Sequence, residues 1–121
     1  LPPAELALLA VFARRVLNAE AALSAPTKDV PDAGWSRRYL AEMHRIVGDM
    51  ADRDQTERTL KNGMDGEYFS PHLSKLRRLL KRALGPAAAP YLIDDGGTRP
   101  HRYRLALAAE AIRFATIEES G

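Results

Sequence analysis

Apolar residues recur at three- and four-residue steps in three stretches of this chain, and near its end the rhythm shifts to short apolar runs. In residues 3–23, Leu6, Leu9, Ala10, Ala13, Val16 and Leu17 make one stripe, which predicts a helix. Pro2 and Pro3 suit its first turn, where no backbone donor is needed. Pro26, Pro31 and Gly34 mark residues 24–34 as a loop. A second helix is predicted with Ser36 as its N-cap, Tyr39, Leu40, Met43, Ile46 and Val47 as its stripe, and Gly48 as its stop. Trp35 and Tyr39 are expected in a core or an interface. Between residues 52 and 62 only Leu60 is strongly apolar. A polar helix over 52–62, ending at Gly63, would pack poorly there, so the segment is predicted to be a solvent-facing insertion.

The third helix, residues 70–84, has the clearest pattern. Ser70 is its predicted cap and Pro71 its first helical residue. Leu73, Leu76, Leu80 and Ala83 form a stripe, widened by Leu79 and Leu84, and Gly85-Pro86 ends it. After a short Ala/Pro linker (86–90), Tyr91-Leu92-Ile93 and residues 103–107 read as two strands. The turn-rich residues 94–102 join them into a hairpin. Residues 108–114 are expected to add a helical turn or a strand, and 115–121 to fray. The predicted fold class is mainly α with a C-terminal β-hairpin, arranged as a winged helix-turn-helix. One domain is expected, with its core in 1–107, an insertion at 49–68 and a tail at 108–121.

Charge gives this frame a direction. The net charge is only +2, yet residues 70–104 hold eight lysines and arginines against Asp94 and Asp95. Residues 49–67 hold six acids against three bases. Such asymmetry points one face toward a polyanion. Five of the cations fall within residues 75–82. The leucine stripe leaves Lys75, Arg78 and Arg82 on the opposite side of the helix, with His72 starting the row. A helix that buries one face and offers cations on the other can lie in a major groove. His72 and Ser74 are expected near the groove floor. Arg77, Lys81, Arg99, Arg102 and Arg104 are expected at phosphates.

Other chemistry finds little footing. The absence of cysteine excludes disulfides, a thiol nucleophile and sulfur-ligated zinc. No phosphate-binding glycine loop, catalytic triad pattern or metal-ligand spacing is present. The chain is therefore not expected to be an enzyme or to carry a cofactor or metal. His44 reads as surface, His101 as plain loop, and Asp94-Asp95 before two glycines as turn formers. No apolar run is long enough for a membrane span, and a cytoplasmic location is expected.

Three stretches resemble the DNA-binding domain of OmpR/PhoB-type response regulators, a winged helix-turn-helix. Leu1-Pro2-Pro3-Ala4-Glu5-Leu6-Ala7-Leu8-Leu9 is similar to that family's first-helix pattern. Ser36-Arg37-Arg38-Tyr39-Leu40, with Gly48 after it, is similar to the opening of its second helix. His72-Leu73-Ser74-Lys75-Leu76-Arg77-Arg78-Leu79-Leu80, followed by Tyr91-Leu92-Ile93 and Tyr103-Arg104-Leu105, resembles its recognition helix and wing. The resemblance spans 1–17, 35–48 and 69–105. Arg102 stands where the family has a glycine, the segment between helices two and three is longer, and the family's leading four-stranded sheet has no counterpart. The opening and the C-terminal layout are also similar to the C-terminal region of CRISPR-associated, CARF-type (ring nuclease-like) proteins of antiviral defence.

The resemblances imply DNA as partner, in transcription regulation, with RNA as a further possibility. The alternative they imply is a dimerisation or regulatory domain of a cyclic-oligoadenylate-responsive protein that binds no DNA itself. Because the sequence opens on Leu1 and runs straight into a helix start, it is expected to be a C-terminal fragment. Its partners would then include a missing N-terminal domain of the same protein, and a homodimer is possible.

Overall fold

The computed structural model describes residues 1–48 and 51–114, with residues 51–54 described by backbone only. Among them are four α-helices: α1 Pro3–Leu17, α2 Ala33–Val47, α3 Ala51–Thr59 and α4 Gly66–Leu84. Three short strands, β1 Leu23–Ser24, β2 Ile93–Asp94 and β3 Arg102–Leu105, form an antiparallel sheet in the order β1-β3-β2. Leu23 pairs with Tyr103 on one side of β3, and Ile93 pairs with Leu105 on the other. The expected mainly helical chain with a C-terminal hairpin is found. Residues 108–114 contribute a single tight turn at Ala109–Ala111.

One aromatic residue organises the packing. Trp35, 1% exposed, meets the edges of Phe12 from α1 and Phe69 from α4 at centroid distances of 5.7 and 5.0 Å. Phe69 in turn meets Tyr103 of β3 at 5.6 Å. The indole N–H donates to the Ser24 carbonyl of β1 at 2.8 Å. A buried tryptophan needs such an acceptor, and this one fixes the strand to the helices. Leu8, Tyr39, Leu60, Met64, Leu76, Ile93 and Leu105 complete the dry interior.

Several boundaries differ from expectation. Helix α1 ends at Leu17 rather than continuing to residue 23. At Ala19 the backbone turns left-handed, with φ of 55°, and the chain reverses to deliver β1 to β3. Pairing with the sheet overrides the helix propensity of Ala19-Glu20-Ala21-Ala22. The apolar stripe of α1 is only partly the predicted one: Ala10 and Ala13 are buried as expected and Ala7, Leu8, Val11 and Phe12 join them, while Leu6 and Leu17 are exposed.

The caps shift as well. Asp32, not Ser36, caps α2, its carboxylate accepting from the Trp35 N–H at 3.0 Å. Ser36 lies inside the helix, buried, and its hydroxyl donates to the Leu60 carbonyl at 3.0 Å. Asp65 caps α4 by accepting from the Tyr68 N–H at 3.1 Å, so the helix starts four residues before Ser70 and contains Pro71. Gly48 and Gly85 end α2 and α4 as predicted. In α4 the buried face is Phe69, Leu73, Leu76 and Leu80, whereas Ala83 and Leu84 are exposed.

The reading of residues 49–68 as a poorly packing insertion is corrected for its second half. Leu60 is 2% exposed and Met64 fully buried. Asp32 and Met64 exchange backbone hydrogen bonds of 2.8 and 3.0 Å, which stitches the segment to the start of α2. Gly63 makes this possible. Its φ is 125°, and a Cβ there would lie 2.7 Å from the Asp32 nitrogen. The side chains of Asp49, Asp52, Arg53 and Asp54 lie outside the described residues, as does the 115–121 tail expected to fray.

If residues 60–64 belong to the core, Leu60→Ala should lower unfolding free energy by about 2–5 kcal/mol, the range for emptying a buried leucine site. Urea unfolding measures it. A loss below about 0.5 kcal/mol, the range of surface substitutions, would return the segment to solvent.

Candidate nucleic-acid interface

Helix α4 sets the electrostatics of its own surface. With Phe69, Leu73, Leu76 and Leu80 turned inward, Ser74, Lys75, Arg78, Lys81 and Arg82 fall on the exposed side. Arg78, Lys81 and Arg82 make no ion pair among the described residues. The one acid within α4 itself is exposed Glu67, in the first turn. The last turn carries Lys81 and Arg82, where cations also oppose the negative end of the helix dipole.

The other expected site residues on α4 are engaged within the chain. Glu5 of α1 is 1% exposed, a carboxylate almost wholly removed from water. Its Oε2 lies 3.0 Å from His72 Nδ1, and its Oε1 lies 3.2 Å from Lys75 Nζ in an ionic contact. His72 also stacks against Tyr68 at 4.3 Å. Tyr68 faces Tyr39, their hydroxyls 3.1 Å apart, and Tyr39 donates to the Ala4 carbonyl at 3.0 Å. His72 is therefore a strut between α1 and α4 rather than the first member of an open row. A buried charge persists only with partners, so Glu5 fixes where His72 and Lys75 can sit. Nothing in its position within a helix start marked Glu5 as buried.

Arg77 is likewise turned aside. Its guanidinium donates to the Ile93 carbonyl of β2 at 2.5 Å, tying α4 to the hairpin instead of reaching outward. An open groove of 480 Å³ runs between α4 and the hairpin, with Arg77 and Lys81 on one wall and Asp94 and Asp95 on the other. In the hairpin, strand alternation turns Tyr103 and Leu105 inward and Arg102 and Arg104 outward. Arg99 is exposed in the tip, beyond the turn. Asp94 and Asp95 accept from the N–H groups of Gly96 and Gly97 at 3.1 and 2.9 Å. These are the expected turn-forming contacts. His101 Nδ1 lies 3.3 Å from the Asp95 carbonyl, within the same loop.

The structure therefore places Ser74, Lys75, Arg78, Lys81 and Arg82 together on one helix face. It places Arg99, Arg102 and Arg104 on the outer side of a hairpin joined to that helix by Arg77. His72 and Arg77 stand behind this surface as supports. Among the described residues no group of three or more histidines or carboxylates could hold a metal ion. No helix of the described residues is long and apolar enough to cross a membrane. No family model, curated protein or solved structure matches the chain.

The tyrosine pair behind Glu5 yields a pH signature. Burial, then the mutual hydrogen bond and the nearby Glu5 charge, push Tyr39 far above the usual phenol range. Burial also raises Tyr68, partly offset by its bond to Tyr39. Both favour the neutral phenol in the folded chain. Their contribution to stability is thus complete below the unfolded value of about 10 and is lost as pH rises above it. In an alkaline titration followed by phenolate absorbance, Tyr39→Phe should remove signal only from the step that coincides with unfolding. Signal lost from a step completed while the chain is still folded would contradict this arrangement.

Proposed function

We propose that the chain is a winged-helix module that binds nucleic acid, duplex DNA in the first instance, with α4 as recognition helix and the β2–β3 hairpin as wing. The observation that carries this reading is the outward alignment of Arg78, Lys81 and Arg82 while the opposite face of the same helix is sealed into the core. A cationic helix face presented in this way suits a major groove, where arginine can address base edges and lysine the phosphates. Ser74, Arg78 and Arg82 are the groove-facing residues. Lys75 exchanges Glu5 for a phosphate, and Lys81 stays at the backbone. Because Arg77 couples β2 to α4, a helix seated in the groove carries Arg99, Arg102 and Arg104 to the flanking strand. Neither DNA nor RNA chemistry needs a catalytic group or cofactor here.

A second reading keeps the same shape as a dimerisation or interaction module. The withdrawal of His72 and Lys75 onto Glu5 favours it, as does the exposure of Leu84 and Tyr91 beyond the basic face. Light scattering separates the two: a dimer that Arg78→Glu with Arg82→Glu dissolves, without duplex affinity, supports the second.

For the first reading, anisotropy titration of a labelled duplex should give a log–log salt slope near −4.5 if about five phosphates are neutralised at about −0.9 each. The Arg78→Glu, Arg82→Glu variant should bind about tenfold more weakly or worse, with a shallower slope. A flat salt response would remove DNA from the account. The same titration with duplex RNA establishes which polymer is preferred.

A further inference from the structure

We propose that the cleft between α1 and α2 is a second anion site, built to hold a phosphate group and separate from the face of α4. The cleft encloses 280 Å³ and is lined by Arg14 and Arg15 of α1, Arg38 and Arg45 of α2, and the carboxylates Glu20 and Glu42. Four arginines and two glutamates thus line it, and neither α4 nor the hairpin contributes.

The arginines are held in place before any ligand arrives. Arg14 binds the Glu42 carboxylate with both Nε and Nη2, the latter at 2.9 Å, and its guanidinium lies 4.2 Å from the centre of the Phe114 ring. The hydrogen bond to Glu42 raises the pKa of Arg14 further, so its charge is permanent. Arg45 donates at 2.9 Å to Oε2 of the same carboxylate, the oxygen that also accepts from Arg14 Nε. Glu42, 4% exposed, therefore serves two cations and leaves one positive charge unmatched. Arg15 donates to the Ala21 carbonyl at 2.8 Å and pairs with Glu20 at 3.3 Å, yet its Nε is buried without an acceptor among the described residues. Arg38 makes no ion pair among the described residues and stands exposed at the rim.

Three guanidiniums ordered by folding and one free describe a preorganised oxyanion receptor. Guanidinium forks match phosphate oxygens in pairs. Side chains already fixed lose little further entropy on binding. The shared chemistry is a phosphate, supplied either by a small phosphorylated molecule or by a nucleic-acid backbone that runs past α4 to this face.

Calorimetric titration of the whole chain with inorganic pyrophosphate tests the site. The expected result is saturable binding at one equivalent, weakened about tenfold by Arg38→Ala or by Arg45→Gln, the scale of losing one charged hydrogen-bond donor. Thermal melting should show both variants folded. Arg78→Glu with Arg82→Glu should leave pyrophosphate binding intact. If Arg38→Ala also weakens duplex binding and pyrophosphate displaces the duplex, the phosphate is that of the backbone. If duplex binding is unchanged, the ligand is a small molecule. Absence of saturable binding, wild-type affinity in both cleft variants, or loss of pyrophosphate binding in the α4 variant would each overturn the proposal. Loss of duplex binding with pyrophosphate binding retained would instead remove the reading of α4.

Discussion

The surface that α4 presents depends on how Trp35 is buried. Its ring is met by Phe12 and Phe69, and its N–H is satisfied by Ser24. One side chain thus fixes α1, α4 and β1 relative to α2. Once Phe69 is committed to that contact, helical geometry commits Leu73, Leu76 and Leu80 to the same side. The cations of α4 then have nowhere to lie but outward. Rotation of the helix to hide them would expose four large apolar side chains, each worth about 1.5–3 kcal/mol when buried. The electrostatic face is a consequence of core packing, not an independent feature.

Two buried carboxylates refine that picture. Glu5 draws His72 and Lys75 toward α1, and Glu42 draws Arg14 and Arg45 together between α1 and α2. A carboxylate out of water is costly unless well partnered, so each acts as a local template that fixes cations at defined positions. The result is a surface with two kinds of basic residue. Arg78, Lys81, Arg82, Arg99, Arg102 and Arg104 make no ion pair among the described residues and are exposed. Lys75 and Arg77 are held, the first by buried Glu5, the second by a hairpin carbonyl.

The parts legible in the sequence were those with local periodicity or strong stop signals. The leucine spacing of α4, its basic row, the Gly48 and Gly85 ends and the Asp94-Asp95 turn are all encoded within a few residues of themselves. What was not legible depends on distant partners. A two-residue strand such as Leu23–Ser24 has no period to detect and exists because β3 accepts it. Asp65 was overlooked as a cap because Ser70-Pro71 offered a stronger local signal. Leu60 read as an isolated apolar residue, and Met64 drew no notice, because their neighbours in space, at the start of α2, are remote in sequence. Glu5 gave no sign of burial, since its partners lie 67 residues and more along the chain. Of the residues expected at the site, His72 and Arg77 are engaged within the chain, by Glu5 and the Ile93 carbonyl, while Arg78, Lys81, Arg82, Arg99, Arg102 and Arg104 are exposed.

The central claim is that the outer face of α4 and the adjoining hairpin form one surface for a polyanion. Chemical-shift mapping of the arginine and lysine side chains during titration with a short DNA duplex examines it most directly. The account predicts that Arg78, Lys81, Arg82, Arg102 and Arg104 shift together and saturate together. Saturating shifts confined to other faces, with those five signals unmoved, would contradict it.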